Sequence, residues 1–428
     1  MSHVVAREHD LVVRESGAPV CLPGAAFDAL LEVVEDPELN PVAVPVLHRG
    51  QLAVKLTQWV GAVQLPDGTV LEILPKTHAR GDDVGASRDL LLRMLAAVDA
   101  RFRVAPPTAL DPARMPLFEV FLSFALEGFR AGVGRGVPHR YAPVREERSS
   151  FKGRLDATRQ VRQPLHRAHL LHVEYDEYLP DRPETRLVRL SVERIARLTG
   201  RQDTRRLAQA LAHVLEGVPA SGDPRRDERA WSLERGYRHF EALRGYCRLI
   251  LHELNPVVRG QATTSFAVLF DMNVLYERYV AFLLRQKYPG WTIDTQRRGE
   301  ALATSGGDKA FPVRPDLYVK TTGGEVIVAD TKWKRLDPTA APAYGISNAD
   351  AYQLLAYSEV FQGRDGRRDV VLLYPELPGL PRRFGPLTLP SGSALHVQTV
   401  PLHDLPAFMR EFELAGHVEA PDPGRGSP

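Results

Sequence analysis

The chain is poor in cysteine and has no long apolar run. Its 428 residues include two cysteines, Cys21 and Cys247, which lie far apart and form no C-x-x-C pair. A disulfide framework and a cysteine-based zinc site are therefore excluded, and the cysteine usage fits a reducing cytoplasm. The first residues show no signal-peptide pattern, and no apolar run approaches the ~18 residues of a membrane span. The sequence accordingly predicts a soluble cytoplasmic protein.

The chain also lacks a strong net charge and a phosphate-binding loop. The 55 basic and 53 acidic side chains leave a net charge of +2, so any affinity for nucleic acid must come from local basic patches. None of the eight lysines follows a glycine, which excludes the Gly-Lys-Ser/Thr motif of a nucleotide-hydrolysing P-loop. By that motif, the chain is not itself a motor.

Length and composition indicate a globular protein of more than one domain. A chain of 428 residues is long for a single domain, and its 44% hydrophobic and 25% charged residues are ordinary proportions. The predicted fold class is α+β and multidomain. Patterning divides the chain into a β-rich N-terminal domain (1–87), a mainly helical middle region with a β insert (88–260), an α/β domain with a mixed sheet flanked by helices (261–419) and a disordered tail (420–428).

The N-terminal domain is predicted to consist of short strands broken by turns over residues 1–80. Residues 51–75 show the clearest period-2 alternation and predict a hairpin with its tip at Pro66-Asp67-Gly68. We expect this hairpin to project from the domain and to suit contact with a partner.

The most informative residues are Asp316, Asp330 and Lys332. The segments RPDLYVK (314–320) and EVIVADTKWK (325–334) are apolar and β-rich, and the Thr-Thr-Gly-Gly between them predicts a hairpin. Asp330 and Lys332 are two residues apart, so they point the same way at the end of a run that is apolar on both faces. Unpaired charge is costly there, and a divalent cation would offset that cost. Carboxylate oxygens suit Mg²⁺ or Mn²⁺ better than zinc.

Two predicted helices carry further polar residues toward this hairpin. Helix 268–287 is apolar nearly all round, which implies burial, yet it has Glu277 at its middle. Helix 348–361 places Gln353 and Tyr357 four residues apart on one face. The predicted order of elements is helix 268–287, strand 291–298, strand 312–320, strand 325–334, helix 348–361 and strand 369–374.

These motifs, in this order, resemble the core of the PD-(D/E)xK nuclease superfamily, and the Gln-x-x-x-Tyr helix resembles its RecB-like branch. The resemblance implies a metal-dependent endodeoxyribonuclease. Asp316 and Asp330 would hold Mg²⁺, the main-chain carbonyl of Thr331 would add an oxygen, and Glu277 would be a further ligand, directly or through water. Whether one or two metal ions act stays open.

The same resemblance implies roles for the remaining residues of the site. Lys332 would orient or help deprotonate the attacking water, or would bind the scissile phosphate. Gln353 would position Lys332 or the phosphate. Tyr357 would pack against the site or stack on DNA.

Over roughly residues 45–415 the chain also resembles the McrC family, the nuclease subunits of modification-dependent McrBC restriction systems. The landmarks are WVGAVQLPDGTVLEILPK, FKGRLD, YLPDRPETRLVR and FDMNVLYERYV, followed by the Pro-Asp, Asp-x-Lys and YQLLAY motifs. The resemblance implies cleavage of double-stranded DNA that carries 5-methylcytosine or another modification. It also implies a partner, a McrB-like AAA+ GTPase hexamer, that the N-terminal part of the chain contacts and stimulates.

Two alternatives remain open at this stage. One is a RecB-like repair or recombination nuclease that acts alone or with a helicase. The other is a non-catalytic adaptor that regulates an AAA+ NTPase and whose nuclease core has decayed. The N-terminal half speaks against the first alternative, and the retention of Asp316, Asp330, Lys332 and Gln353 speaks against the second.

Overall fold

The computed structural model describes residues 2–15, 20–35, 42–76, 83–103, 114–251, 266–337, 339–361, 368–377 and 380–415. They form a mixed α/β structure with 19 strands in five sheets and 11 α-helices. Within these ranges, no helix is long and apolar enough to cross a membrane. The tail predicted to be disordered lies outside the described residues, and the division into four domain ranges stays a prediction.

Two four-stranded sheets and one helix build the N-terminal part. The elements are β1 His3–Arg7, β2 Leu11–Arg14, β3 Val20–Leu22, α1 Gly24–Glu35, β4 Ala43–His48, β5 Gln51–Leu56, β6 Trp59–Gln64 and β7 Val70–Leu74, with β11 Phe266–Asp271 added from later in the chain. One sheet has the order β3-β2-β5-β4 and the other β1-β7-β6-β11. Their apolar faces and α1 share one core.

The expectation of strands alone over residues 1–80 is wrong for α1. Phe27, Leu30, Val33 and Val34 recur at helical spacing and are all buried, so this segment covers the core as an amphipathic helix.

The hairpin predicted over residues 51–75 is confirmed for β6–β7, with its tip at Pro66-Asp67-Gly68 as predicted, but it is wrong for residues 51–56. Strand β5 pairs with β2 and β4, whereas β6 pairs with β7 and β11, so the chain changes sheets between β5 and β6. The β6–β7 hairpin is buried along almost its whole length because most of its side chains are apolar on both faces, and its buried Glu72 is paired with Arg88. It is therefore part of a sheet core and not a projection.

Helices dominate the middle region, as the periodicity predicts. They are α2 Val84–Val98, α3 Leu117–Gly134, α5 Pro183–Leu198, α6 Gln202–Val214, α7 Pro224–Arg229 and α8 Glu241–Ile250, with short 3-10 helices at Ala100–Phe102 and Arg235–Phe240. Helix α3 is buried nearly all round. It lies so close to α8 that a Cβ at Gly128 would stand 2.2 Å from the Tyr246 ring.

Residues 140–179 form a long arm built around two nine-residue strands. It consists of β8 Arg140–Arg148, β9 Arg154–Leu155, α4 Ala157–Val161, a 3-10 helix at Leu165–Arg167 and β10 Leu171–Leu179, and its sheet has the order β8-β10-β9. Strands of nine residues span roughly 30 Å. Within the arm, which is described throughout, Val173 alone is buried. The predicted β insert is thus an exposed projection.

The C-terminal part is a six-stranded mixed sheet with helices packed against it. Its elements are α9 Met272–Lys287, β12 Thr292–Thr295, β13 Glu300–Ser305, β14 Asp308–Val313, β15 Leu317–Lys320, β16 Val326–Thr331, α10 Asn348–Val360, β17 Val370–Pro375, β18 Arg383–Thr388, β19 Ala394–Val400 and α11 Leu405–Glu411. The sheet order is β12-β15-β16-β17-β19-β18, parallel only at β16-β17-β19.

Three predicted elements need correction here. The helix predicted over 268–287 begins at Met272, because Asp271 caps it by accepting from the Asn273 and Val274 amides, and the preceding residues form β11. The strand predicted over 291–298 ends at Thr295. The strand predicted over 312–320 is two strands, since a separate hairpin, β13–β14, precedes β15.

Candidate functional site

The turn between β15 and β16 brings two carboxylates to the same end of the sheet. These strands are antiparallel with Leu317 opposite Ala329, so Asp316 and Asp330 lie one residue beyond that pair. Thr331 fixes Asp316 in place, because its amide and its hydroxyl both donate to Asp316 Oδ2, at 2.9 and 2.7 Å. The predicted juxtaposition of the two aspartates is present.

Lys332 lies against Asp330 at the centre of the site. Its Nζ is 2.7 Å from Asp330 Oδ2 and 3.4 Å from Asp350 Oδ1. Burial lowers the pKa of Lys332, but the charges of Asp330 and Asp350 outweigh burial and raise the pKa above its usual value. Lys332 is consequently an ammonium ion in this arrangement.

A chain of hydrogen bonds holds Lys332 from the α10 side. Lys332 Nζ donates to Gln353 Oε1 at 2.9 Å, and Gln353 Nε2 donates to the Tyr357 hydroxyl at 2.6 Å. That hydroxyl lies 3.0 Å from the Arg314 carbonyl and 3.3 Å from Asp330 Oδ1, and its one proton can serve either. The structure therefore joins Gln353 and Tyr357 to Lys332 and Asp330.

Glu277 approaches the aspartates from α9. Gln296 Nε2 donates to Glu277 Oε2 at 2.7 Å and to Asp316 Oδ1 at 3.0 Å, so the two carboxylates share one donor. Burial, and then the charge of Asp316, raise the pKa of Glu277 to about 7. The same two causes, in the same order, raise the pKa of Asp330 to about 6.

These shifts test whether the residues fit a divalent cation. The charge of Asp316 is close enough to oppose the ionisation of both Glu277 and Asp330, and a cation would relieve that repulsion. The oxygen donors suit magnesium or manganese. Across the described ranges, no group of three or more His, Cys, Asp or Glu side chains is already arranged as a metal site. The carboxylates instead take their donors from Gln296, Thr331 and Lys332, which a cation would partly replace.

Sequence reasoning missed two residues of this site. Gln296 lies at positive φ (54°) just after β12, and nothing in the sequence marks that position. Asp350 contacts both Lys332 and Lys334, the latter at 2.8 Å. The pattern Ser347-x-x-Asp350 could have signalled Asp350, because Ser347 caps α10 by accepting from the Asp350 amide.

The residue after Lys332 ties the site to the N-terminal sheet. Trp333 Nε1 donates to Glu8 Oε1 at 2.7 Å, and the Lys76 amide donates to the same oxygen at 2.8 Å. The Trp333 ring also packs on Tyr276, next to Glu277, with centroids 5.2 Å apart. Glu8 is 1% exposed, and burial raises its pKa to about 7.

The raised pKa of Glu8 leads to a prediction about stability. A carboxyl whose pKa is higher in the folded state stabilises the fold fully below its unfolded pKa and loses that contribution as pH rises through the folded value. Glu8→Gln keeps an acceptor for Trp333 and cannot ionise. We expect the free energy of unfolding of this variant, relative to that of wild type, to increase by about 2–3 kcal/mol from pH 5 to pH 8. Thermal melting of both proteins across this range measures the difference. The exposed Glu32→Gln is the control, and a difference that does not change with pH would contradict the assignment.

The chain is similar to one known protein family and to chains of solved structures. The chain matches the family described as McrBC 5-methylcytosine restriction system component over residues 54–375. No curated protein sequence matches it. A chain of the Thermococcus gammatolerans assembly of McrB AAA+ hexamers with bound McrC has a similar fold, with a TM-score of 0.68 and 20% identity over 93% of this chain and 94% of that one. A chain of the McrBC complex from the same organism gives a TM-score of 0.48 and 21% identity over 67% of this chain and 88% of that one.

Proposed function

Since the chain belongs to the family of McrBC 5-methylcytosine restriction system components, we propose that it is the DNA-cutting subunit of such a system. It would hydrolyse phosphodiester bonds in double-stranded, modified DNA with Mg²⁺, under control of an AAA+ GTPase. The observation that carries the proposal is the convergence of Asp316, Asp330, Lys332, Glu277 and Gln353 at one end of a mixed sheet. A PD-(D/E)xK nuclease core is the fold that this arrangement supports best.

Asp316, Asp330 and Glu277 would hold the metal ion, with the main-chain carbonyl of Thr331 as a further oxygen. Bound there, Mg²⁺ or Mn²⁺ would lower the pKa of a water and offset negative charge on the phosphate oxygens. The protein's own part is to hold three carboxylates in fixed positions. Thr331 and Gln296 orient Asp316 and Glu277, respectively, by donating hydrogen bonds to them. The Tyr357 hydroxyl contacts Asp330 Oδ1 at 3.3 Å.

The surroundings of Lys332 favour a role as a hydrogen-bond donor over a role as a base. Its ammonium group lies 2.7 Å from Asp330 Oδ2 and 3.4 Å from Asp350 Oδ1, so two acidic side chains hold it in place as a donor. An ammonium ion can instead bind the scissile phosphate or orient the attacking water by donating to it. Gln353 would act as its positioning residue, because it accepts from Nζ and is itself held by Tyr357.

The arm is the part of the chain best shaped to meet the motor. Its tip exposes apolar side chains, with Phe151 63%, Val161 86% and Leu165 95% exposed. Large apolar groups in so exposed a place are typical of a contact surface. Ion pairs such as Arg145–Glu174 and Arg167–Glu147 link the elements of the arm. This assignment replaces the hairpin predicted over 51–75, because its β6–β7 part is buried in a sheet.

The proposal predicts that cleavage depends on a partner. The purified chain alone is expected to cut DNA poorly, and cutting should appear when a McrB-like AAA+ hexamer and GTP are added, because the chain has no P-loop. Gel assays with methylated and unmethylated plasmid and Mg²⁺ measure this. The complex with the nucleotide omitted is the control.

Vigorous cutting by the chain alone, without nucleotide, would contradict this division of labour. That outcome would favour the stand-alone RecB-like nuclease. A complex that hydrolyses GTP normally but never cuts would favour the adaptor instead.

A further inference from the structure

A cavity of about 240 Å³ lies between the N-terminal sheet and the end of strand β16. Lys76, Lys334 and Arg335 line it, and Trp333 and Pro375 supply apolar wall. The Arg335 guanidinium donates to the Lys76 carbonyl, so the two sides of the cavity are joined directly. The proposed chemistry at Asp316 and Asp330 makes no use of this cavity.

The charges around the cavity favour an anion. Two basic residues of the lining, Lys76 and Arg335, are accompanied by one carboxylate, that of Glu8, while the charge of Lys334 is offset by Asp350 at 2.8 Å. Glu8 weakly opposes an anion, because one of its oxygens already accepts from Trp333 and Lys76, and burial raises its pKa to about 7. The cavity accordingly has a surplus of positive charge beside an apolar wall, which suits a phosphate group with its attached sugar.

The cavity adjoins the catalytic site through a shared carboxylate. Asp350 Oδ1 lies 3.4 Å from Lys332 Nζ, and Asp350 Oδ2 lies 2.8 Å from Lys334 Nζ. The lysine at the reacting phosphate and a lysine of the cavity are therefore separated by one side chain. A DNA strand whose scissile phosphate lay at Lys332 would have another phosphate of the same strand within reach of the cavity.

We propose that this cavity binds a backbone phosphate of the DNA strand being cut, and that it fixes the register of that strand in the catalytic site. The inference rests on the proposed nuclease function. Lys76 and Arg335 are its principal contacts. Lys334 has a second task, since it also pairs with Asp350.

The test is the salt dependence of DNA binding by the full chain. Binding of a short duplex is measured by fluorescence anisotropy over a series of KCl concentrations, with Ca²⁺ in place of Mg²⁺ to prevent cutting. The double variant Lys76→Gln with Arg335→Gln is expected to reduce the slope of log K against log salt by about one to two. Affinity at moderate salt should fall roughly tenfold, about 1.4 kcal/mol. Arg335→Lys, which keeps the cation, should restore most of the loss.

The matched control is the double variant Arg206→Gln with Arg229→Gln. It removes two exposed arginines, on α6 and α7, that do not line the cavity. This variant should leave the slope unchanged, and melting temperatures verify that both double variants fold. If wild type binds DNA and the cavity variant has the same slope, the inference fails and the nuclease proposal stands. If wild type binds no DNA, the inference fails, and cleavage by the assembled complex decides the nuclease proposal separately.

A second measurement distinguishes a DNA phosphate from a free anion as the occupant of the cavity. Inorganic phosphate and pyrophosphate are titrated into wild type and the cavity variant while the melting temperature is followed. Stabilisation of wild type alone, together with equal DNA slopes, would assign the cavity to a free anion and overturn the proposal. A reduced DNA slope in the cavity variant, with or without weak phosphate binding, supports it.

Discussion

Asp330→Asn is expected to abolish DNA cleavage by the assembled complex and to leave the fold intact. Asparagine has the same shape, and its oxygen can accept from Lys332 while its amide nitrogen donates to the Tyr357 hydroxyl, but it cannot supply a charged oxygen to a metal ion. Loss of the metal removes several kcal/mol of transition-state stabilisation, so the rate should fall at least about a thousandfold. Supercoiled plasmid with Mg²⁺ and with Mn²⁺ is the assay, at matched protein concentration.

Stability and partner stimulation distinguish chemistry from misfolding. Burial and the neighbouring Asp316 already oppose the charge of Asp330, so its removal should leave the melting temperature the same or higher. The complex should still hydrolyse GTP at the normal rate. Asp369→Asn, on an exposed residue before β17, is the control and should cut like wild type. Retention of more than a few per cent of activity by Asp330→Asn would contradict the assignment of Asp330 to the active site.

Lys332→Ala should likewise lose cleavage while it keeps GTPase stimulation.

The second large effect is expected at the tip of the arm. Val161→Ser with Leu165→Ser should weaken binding to the AAA+ partner at least about thirtyfold, since exposed apolar anchors at interfaces contribute about 2 kcal/mol or more. GTPase stimulation and cleavage should fall together. Both residues are exposed, so the chain itself should fold and melt as wild type does. Binding is measured by interferometry with the immobilised partner.

The matched control is a second exposed apolar pair, on the β4–β5 hairpin of the N-terminal part. Val44 and Leu47 are 41% and 80% exposed. Val44→Ser with Leu47→Ser should leave partner binding unchanged. The reverse pattern, with binding lost here and kept in the arm variant, would return the motor contact to the N-terminal sheets.

Sequence reasoning succeeded where the determining contacts are close along the chain. Asp330 lies near the end of β16 and Lys332 directly follows that strand, and Gln353 and Tyr357 share a helix with a serine cap, so local rules predict each pair. It failed where position depends on which sheet a strand joins. Strand β5 alternates like β6, and no glycine or proline marks the Thr57-Gln58 step between their sheets. Gln296 and Glu8 reach the site through pairings at long range, which no local pattern encodes.

Strand β11 has a consequence for how such a chain can be divided or recombined. It completes the N-terminal sheet beside β6, where a Cβ at Gly61 would stand 2.0 Å from the Val268 carbonyl, and it runs straight into the helix that carries Glu277. A fragment ending near residue 255 would leave the β6 edge bare, and a fragment beginning at 261 would carry an apolar strand without its partner. The parts of the chain on either side of this boundary are thus expected to be inherited together, and chimeras that exchange the C-terminal part at residue 261 should be insoluble.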